Sequence, residues 1–238
     1  MTFANESYRI LIKALQENGY QISDYHNYVK FENQCILRHD IDYSLERALC
    51  FAEIEKELGV KSTYFVLVRS DFYNPFSLKS KSILMKICDL GHEIGLHFDE
   101  AAYGELNVDA MIKAILHERD MLQDVIRGGV TAVSMHRPSK WVLDADLKIP
   151  GMVNSYGKEF FHDFKYVSDS RMRWREDVMK YVTEKNYPKL HILTHAFWYG
   201  EEECSMHDVL DSYLSSARKD RYKILNDNFT DLQSIITE

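Results

Sequence analysis

The chain has 238 residues, 45% of them hydrophobic, enough for one substantial core over residues 1–238. A formal charge of −8, with no run of Lys and Arg interleaved with aromatics, excludes a nucleic-acid groove. No apolar run approaches the roughly 18 residues that cross a bilayer, Met1–Tyr20 lacks a basic-then-apolar leader pattern, and Cys35, Cys50, Cys88 and Cys204 form no C-x-x-C pair; a cytoplasmic protein with reduced thiols is expected.

Helical periodicity begins at once. Tyr8, Ile10, Leu11, Ile12 and Leu15 give a broad apolar face from about Asn5 to Asn18, and Gly19 stops it. "QCILRHD" is a strand. Ser44 is placed to cap a helix that carries Leu45, Leu49, Ala52 and Leu58 and ends at Gly59. "STYFVLV" is the next strand, "SLKSKSILMKICDLG" a helix, "HEIGLH" a short strand, "VDAMIKAILHERDMLQDVI" a long helix and "VTAVSMH" a strand. A strand near Lys165–Val167, a helix near Glu176–Glu184, the strand "LHILTH" and helices over Met206–Ala217 and Leu225–Ile236 complete the pattern. Strands alternate with helices at a spacing of roughly thirty residues, the rhythm of repeated βα units. Prolines and glycines are spread thinly, so no linker divides the chain.

If each strand is parallel to the next, all carboxyl ends face one way, and sites in such folds form at those ends. Asp40 and Asp42 follow the first long strand, His97 ends "HEIGLH", His136 ends "VTAVSMH" and His195 ends "LHILTH". Two carboxylates and three imidazoles converging on one mouth are a ligand set for a divalent ion such as Zn2+, with a group left for proton transfer. Any one of these histidines alone is more often an ordinary hydrogen-bonded residue; their joint placement carries the inference. Tyr73, Asn74, Trp174 and Trp198 are candidates for a substrate-binding wall, and serve equally well as core or rim.

The segments "HDID", "STYFV", "GHEIGLH", "HRPS", "SDSRMRW" and "LTHAFWY", in this order from about Leu37 to Gly200, resemble the signature segments of the polysaccharide deacetylase (NodB-homology) family, carbohydrate esterase family 4. The resemblance implies a distorted (β/α) barrel of about seven parallel strands and removal of an acetyl group from an N-acetylated sugar. It implies that Asp40 is the catalytic base, Asp42 and His97 are metal ligands, His195 is the general acid and Arg137 orients the base. The chain departs from the pattern at Ala101, where the family has a second histidine ligand. His136, Asp99 or water could fill that position, and His136 is favoured as a strand-end imidazole. The expected metal is a divalent ion, Zn2+ first. The sugar could be free, nucleotide-linked or lipid-linked, and cytoplasmic placement points to surface-polysaccharide (lipopolysaccharide) synthesis. Two alternatives stay open: an enzyme of the same fold acting on another C–N bond, and a metal-free carbohydrate-binding or scaffold protein, for which Ala101 speaks.

Overall fold

A computed structural model describes residues 1–28 and 32–237. In chain order the elements are α1 (Asn5–Glu17), β1 (Gln21–Ser23), β2 (Gln34–Ile41), α2 (Leu45–Glu57), β3 (Thr63–Leu67), α3 (Leu78–Asp89), β4 (Glu93–Phe98), α4 (Val108–Ile126), β5 (Ala132–Met135), α5 (Lys140–Ala145), β6 (Val153–Asn154), β7 (Lys165–Ser168), α6 (Val178–Thr183), β8 (Lys189–Thr194) and α7 (Met206–Asn226). Seven strands run in the order β6-β5-β4-β3-β2-β8-β7, every pair parallel, with β1 added beside the start of β2. The sheet curls, since Arg38 of β2 hydrogen-bonds Ser134 of β5 and Ser155 just beyond β6. Among the described residues β6 and β7, the ends of the path, do not pair, so the barrel is distorted and open along one side.

Side-chain alternation sorts the strands into two faces. On β2, Cys35, Leu37 and Ile41 join the large core between sheet and helices, whereas Ile36 joins an inner cluster with Tyr25, Phe65, Ala132 and Phe160. Gly95 on β4 faces that inner cluster: a Cβ there would lie 2.5 Å from the Phe65 ring and 3.2 Å from the Ala132 carbonyl oxygen. α1 seals the outside through Tyr8, Leu11, Ile12 and Leu15, all with 0% exposure and each stabilising by roughly 1.5–3 kcal/mol relative to exposure. Ser44 caps α2 by accepting the Arg47 backbone N–H, as its position in the sequence predicts.

A buried polar knot ties this outer layer together. The Glu55 carboxylate on α2 accepts hydrogen bonds from the hydroxyls of Tyr8, Ser62 and Tyr64, each at 2.6 Å, and from His39 Nε2 at 2.9 Å. His39 bonds Thr194 of β8 through its other nitrogen, so the ends of β2 and β8 are clamped side by side. Burial pushes Glu55 up, but His39, with His92 and Ser62, outweighs burial and holds the carboxyl down at about 2.

The sequence reading differs from the structure in places. The helix expected over Leu225–Ile236 is absent; the preceding helix runs on unbroken to Asn226, and only a short turn at Leu232–Ser234 follows. Asn228 bonds the Ile224 carbonyl with its side chain and the Leu225 carbonyl with its backbone N–H, which closes the helix. β1, β6 and α5 were not expected.

Candidate metal centre and active site

Inner-face parity delivers the site. Arg38 and Asp40 follow Ile36 at every second residue, His97 lies two beyond Gly95, His136 two beyond Ser134, and His195 two beyond Leu193. All four strands are parallel, so Asp40, Asp42, His97, His136 and His195 line one cavity of about 490 Å³ at the carboxyl ends.

Asp42 is the focus. His97 Nε2 approaches its Oδ1 to 3.2 Å and His136 Nε2 to 3.9 Å, while His195 Nε2 lies 3.8 Å from Oδ2. Asp42 Oδ1 is buried and none of these approaches has hydrogen-bond geometry. A buried carboxylate oxygen facing two imidazoles without a hydrogen bond is costly by itself and suits a shared cation. Each imidazole is also anchored from behind. His97 Nδ1 points to the Ser134 carbonyl oxygen (3.4 Å) and His136 Nδ1 to Asp99 (3.0 Å). With those acceptors behind Nδ1, each Nε2 faces the cluster, the usual arrangement behind a metal-bound histidine. The ligand atoms of Asp42, His97 and His136 all lie within 4.8 Å of one another. Asp99 therefore stands behind His136, and Ala101 lies exposed in the turn Glu100–Tyr103 and does not line the cavity.

Asp40 has different company. Its Oδ2 takes a 2.8 Å ion pair from Arg38, whose guanidinium has no exposure, is held by Ser134 and Ser155, and lies over the rings of Tyr156 (4.8 Å) and Phe65 (5.4 Å). Burial alone would raise Asp40, but Arg38, then His97 and His195, lower it, leaving it ionised. Its Oδ1 is buried without a hydrogen-bond partner. Arg137, expected to orient this base, points elsewhere: it contacts Asp99 at 3.2 Å with a side chain 74% exposed. Arg38 occupies the place proposed for it, because alternation on β2 puts residue 38 on the same face as residue 40.

His195 Nδ1 is held by Asp169 at 2.7 Å, and Asp169 also accepts the His195 backbone N–H. Burial opposes a charge on His195, but Asp169, with Asp42 and Asp40, outweighs it and raises the imidazole to about 9. Burial also opposes charge on Asp42, and His97, His195 and His136 overcome it, setting Asp42 at about 2. Asp169 and Arg38 lie within segments singled out in the sequence yet were given no role; strand alternation and strand-end position were the signals that could have found them.

Of the expected sugar wall only Trp198 lines the cavity. The Tyr73 hydroxyl instead ties the ends of β2 and β3, donating to the Ile41 carbonyl and accepting the Leu67 N–H. Asn74 accepts the Phe76 N–H in an exposed turn, and Trp174 packs against the outer core. Tyr43, Phe72 and Tyr156 join Trp198 as the aromatic lining.

No family model matches the sequence, and no curated protein matches it. Solved structures do resemble it. A family 4 carbohydrate esterase from Bacillus anthracis is 17% identical, with 92% of this chain and 89% of that one covered, at a TM-score of 0.46. A peptidoglycan deacetylase from Bacillus subtilis, as an Asp-to-Ser mutant, is 15% identical over 84% of this chain and 98% of that one, at 0.45. A family 4 pseudoenzyme from Bacillus anthracis is 15% identical over 79% of this chain, at 0.44; the present chain spans 62% of its length. These are distant likenesses, and nothing about chemistry passes from them to this chain.

Proposed function

We propose that the chain is a divalent-metal-dependent hydrolase that removes an N-acetyl group from a saccharide. The observation that carries this reading is the set of Asp42, His97 and His136 around one point, with Asp40 and His195 beside it in separate hydrogen-bonded settings. Asp42, His97 and His136 would hold the ion, and two imidazoles with one carboxylate suit Zn2+. When bound, such an ion supplies Lewis acidity toward the amide carbonyl and toward water.

The residues divide the proton work. Asp40, kept ionised by Arg38, takes a proton from the attacking water through its unpaired Oδ1. His195, held as imidazolium by Asp169, gives a proton to the sugar nitrogen as the C–N bond breaks, so that acetate and a free amine leave. The motif resemblance supplies the saccharide; the side-chain geometry supports the hydrolytic chemistry.

The test is acetate release from N-acetylated saccharides by protein stripped with a chelator and then reloaded with Zn2+. Activity should vanish on stripping, return on reloading, and be absent from Asp42→Asn and His97→Ala together with metal binding. Full activity after verified stripping would overturn the reading. Release of amine from non-sugar amides alone would keep the chemistry and replace the substrate.

A further inference from the structure

The rim of this cavity gathers arginines on a chain whose net charge is negative. A protein of net charge −8 places Arg69, Arg137, Arg171 and Arg175 around a single mouth, from the loops after β3, β5 and β7. Arg69 has a structural occupation, pairing with Glu118 at 2.8 Å and lying over the Tyr103 ring. The others do not. Arg137 makes one contact to Asp99 while largely exposed, and Arg171 and Arg175 have no carboxylate within ion-pair distance among the described residues. The acids lining the cavity leave Arg171 and Arg175 unpaired: Asp40 is paired with Arg38, Asp99 is bonded to His136 and Arg137, Asp42 faces imidazoles, and Asp71 on the rim makes no ion pair among the described residues.

The rim backbone is also left-handed in places, as it is at Arg127, Asp146, Lys185 and Asp231 away from the cavity. Arg137 (φ 46°) and Arg171 (φ 59°) are both left-handed, and Met172 after Arg171 is left-handed too (φ 53°). Non-glycine residues in that region are strained, and such strain persists where the surroundings fix it. Here Asp169 beneath the turn accepts the Arg173 N–H on its carbonyl while its carboxylate grips His195, so the same residue sets the rim and the acid. Planar guanidinium groups match carboxylate and phosphate oxygens in pairs.

We infer that the cavity takes an anionic acylamino saccharide, its carboxylate or phosphate bound by Arg137, Arg171 and Arg175 while the acylamino group reaches the Asp42 floor. This rests on the hydrolase reading of the floor. A neutral glycan chain leaves Arg171 and Arg175 without an anionic partner; an anionic sugar supplies one to them and to the exposed side of Arg137.

The experiment pairs turnover with binding. The probes are neutral N-acetylglucosamine, N-acetylglucosamine 1-phosphate, UDP-N-acetylglucosamine and N-acetylglucosaminuronic acid, with binding followed by tryptophan fluorescence, since Trp198 lines the cavity. At least one anionic probe should exceed the neutral one by about 10- to 100-fold in affinity or kcat/KM, from hydrogen bonds to charged groups. Arg171→Ala/Arg175→Ala should collapse that ratio to near one, Arg171→Lys should keep part of it, and added salt should shrink it. The phosphate and uronate arms identify the anion. Tight anionic binding without turnover retains the arginine site and removes the hydrolase; equal handling of neutral and anionic probes, or no binding of any, overturns the arginine site whatever the turnover.

Discussion

Asp40 and Asp42 are identical side chains two residues apart, and their neighbours give them different work. Asp40 shares a buried ion pair with Arg38, whereas Asp42 faces three imidazoles. Removing Arg38 leaves a buried carboxylate uncompensated, so Arg38→Met should cost about 3–5 kcal/mol in urea unfolding at neutral pH. Arg137→Ala removes only a mostly exposed contact and should stay within about 0.5 kcal/mol. Equal losses would mean that the two arginines share the task. His195 provides the second residue-scale prediction. Asp169 is the chief partner raising its pKa against burial, so Asp169→Asn should move the basic limb of the pH–rate profile to lower pH and leave the acidic limb, set by Asp40, in place. A bound cation would lower the wild-type limb from about 9, because positive charge disfavours imidazolium, but the variant's shift would keep its direction. An unmoved basic limb would remove His195 from the acid role.

At the scale of strands and helices, the inner cluster sets the tolerance. Gly95→Ala should destabilise by about 1–3 kcal/mol, since the added methyl must displace the fully buried Phe65 ring or the strand carrying it. A neutral result in urea unfolding would show that Phe65 has room to turn. The same packing explains what the sequence disclosed. β2, β3, β4, β5 and β8 are buried on both faces and show as short runs rich in apolar residues, and α1 to α4 carry helical periodicity with clear stops, so their existence and order are legible. β1 and β6 span three and two residues, too short for any period to register. Strand-end histidines were legible by position. The motif resemblance points to Arg137 as the partner of Asp40, whereas simple alternation along β2 puts Arg38 on its face, and Arg38 makes the ion pair. The aromatic wall was hard to read because Tyr73 and Trp174 look like ligand platforms in sequence, and only tertiary packing turns them to structural use.

Over the whole molecule, buried titratable groups on both sides of the sheet make stability depend on pH. His191, inside the barrel, bonds the Tyr25 hydroxyl and the Phe160 carbonyl. Burial, with Arg38 adding to it, pushes its pKa down to about 3. An unfolded histidine takes up a proton near 6.5, so between about 6.5 and 3 the unfolded chain binds a proton that the folded one refuses. Stability therefore falls with pH in that window, by at most about 1.4 kcal/mol per unit. Glu55, depressed to about 2, contributes stability that is present above its ordinary carboxylate value and is lost as pH drops toward 2, so it extends the decline. His195 acts at the other end: its raised pKa gives stability fully present below about 6.5 and lost as pH rises through about 9. Between pH 7 and 5, His191 is thus expected to weaken the protein by about 2 kcal/mol in urea unfolding of chelator-treated protein. His191→Gln, which keeps a polar group near Tyr25 without a titratable one, should lower stability at pH 7 yet flatten the slope between pH 7 and 5 by about that amount, the remainder belonging to groups such as His92, whose pKa burial also lowers. The same slope in wild type and variant would show that His191 takes up its proton without resistance and that the barrel interior admits charge beside Arg38.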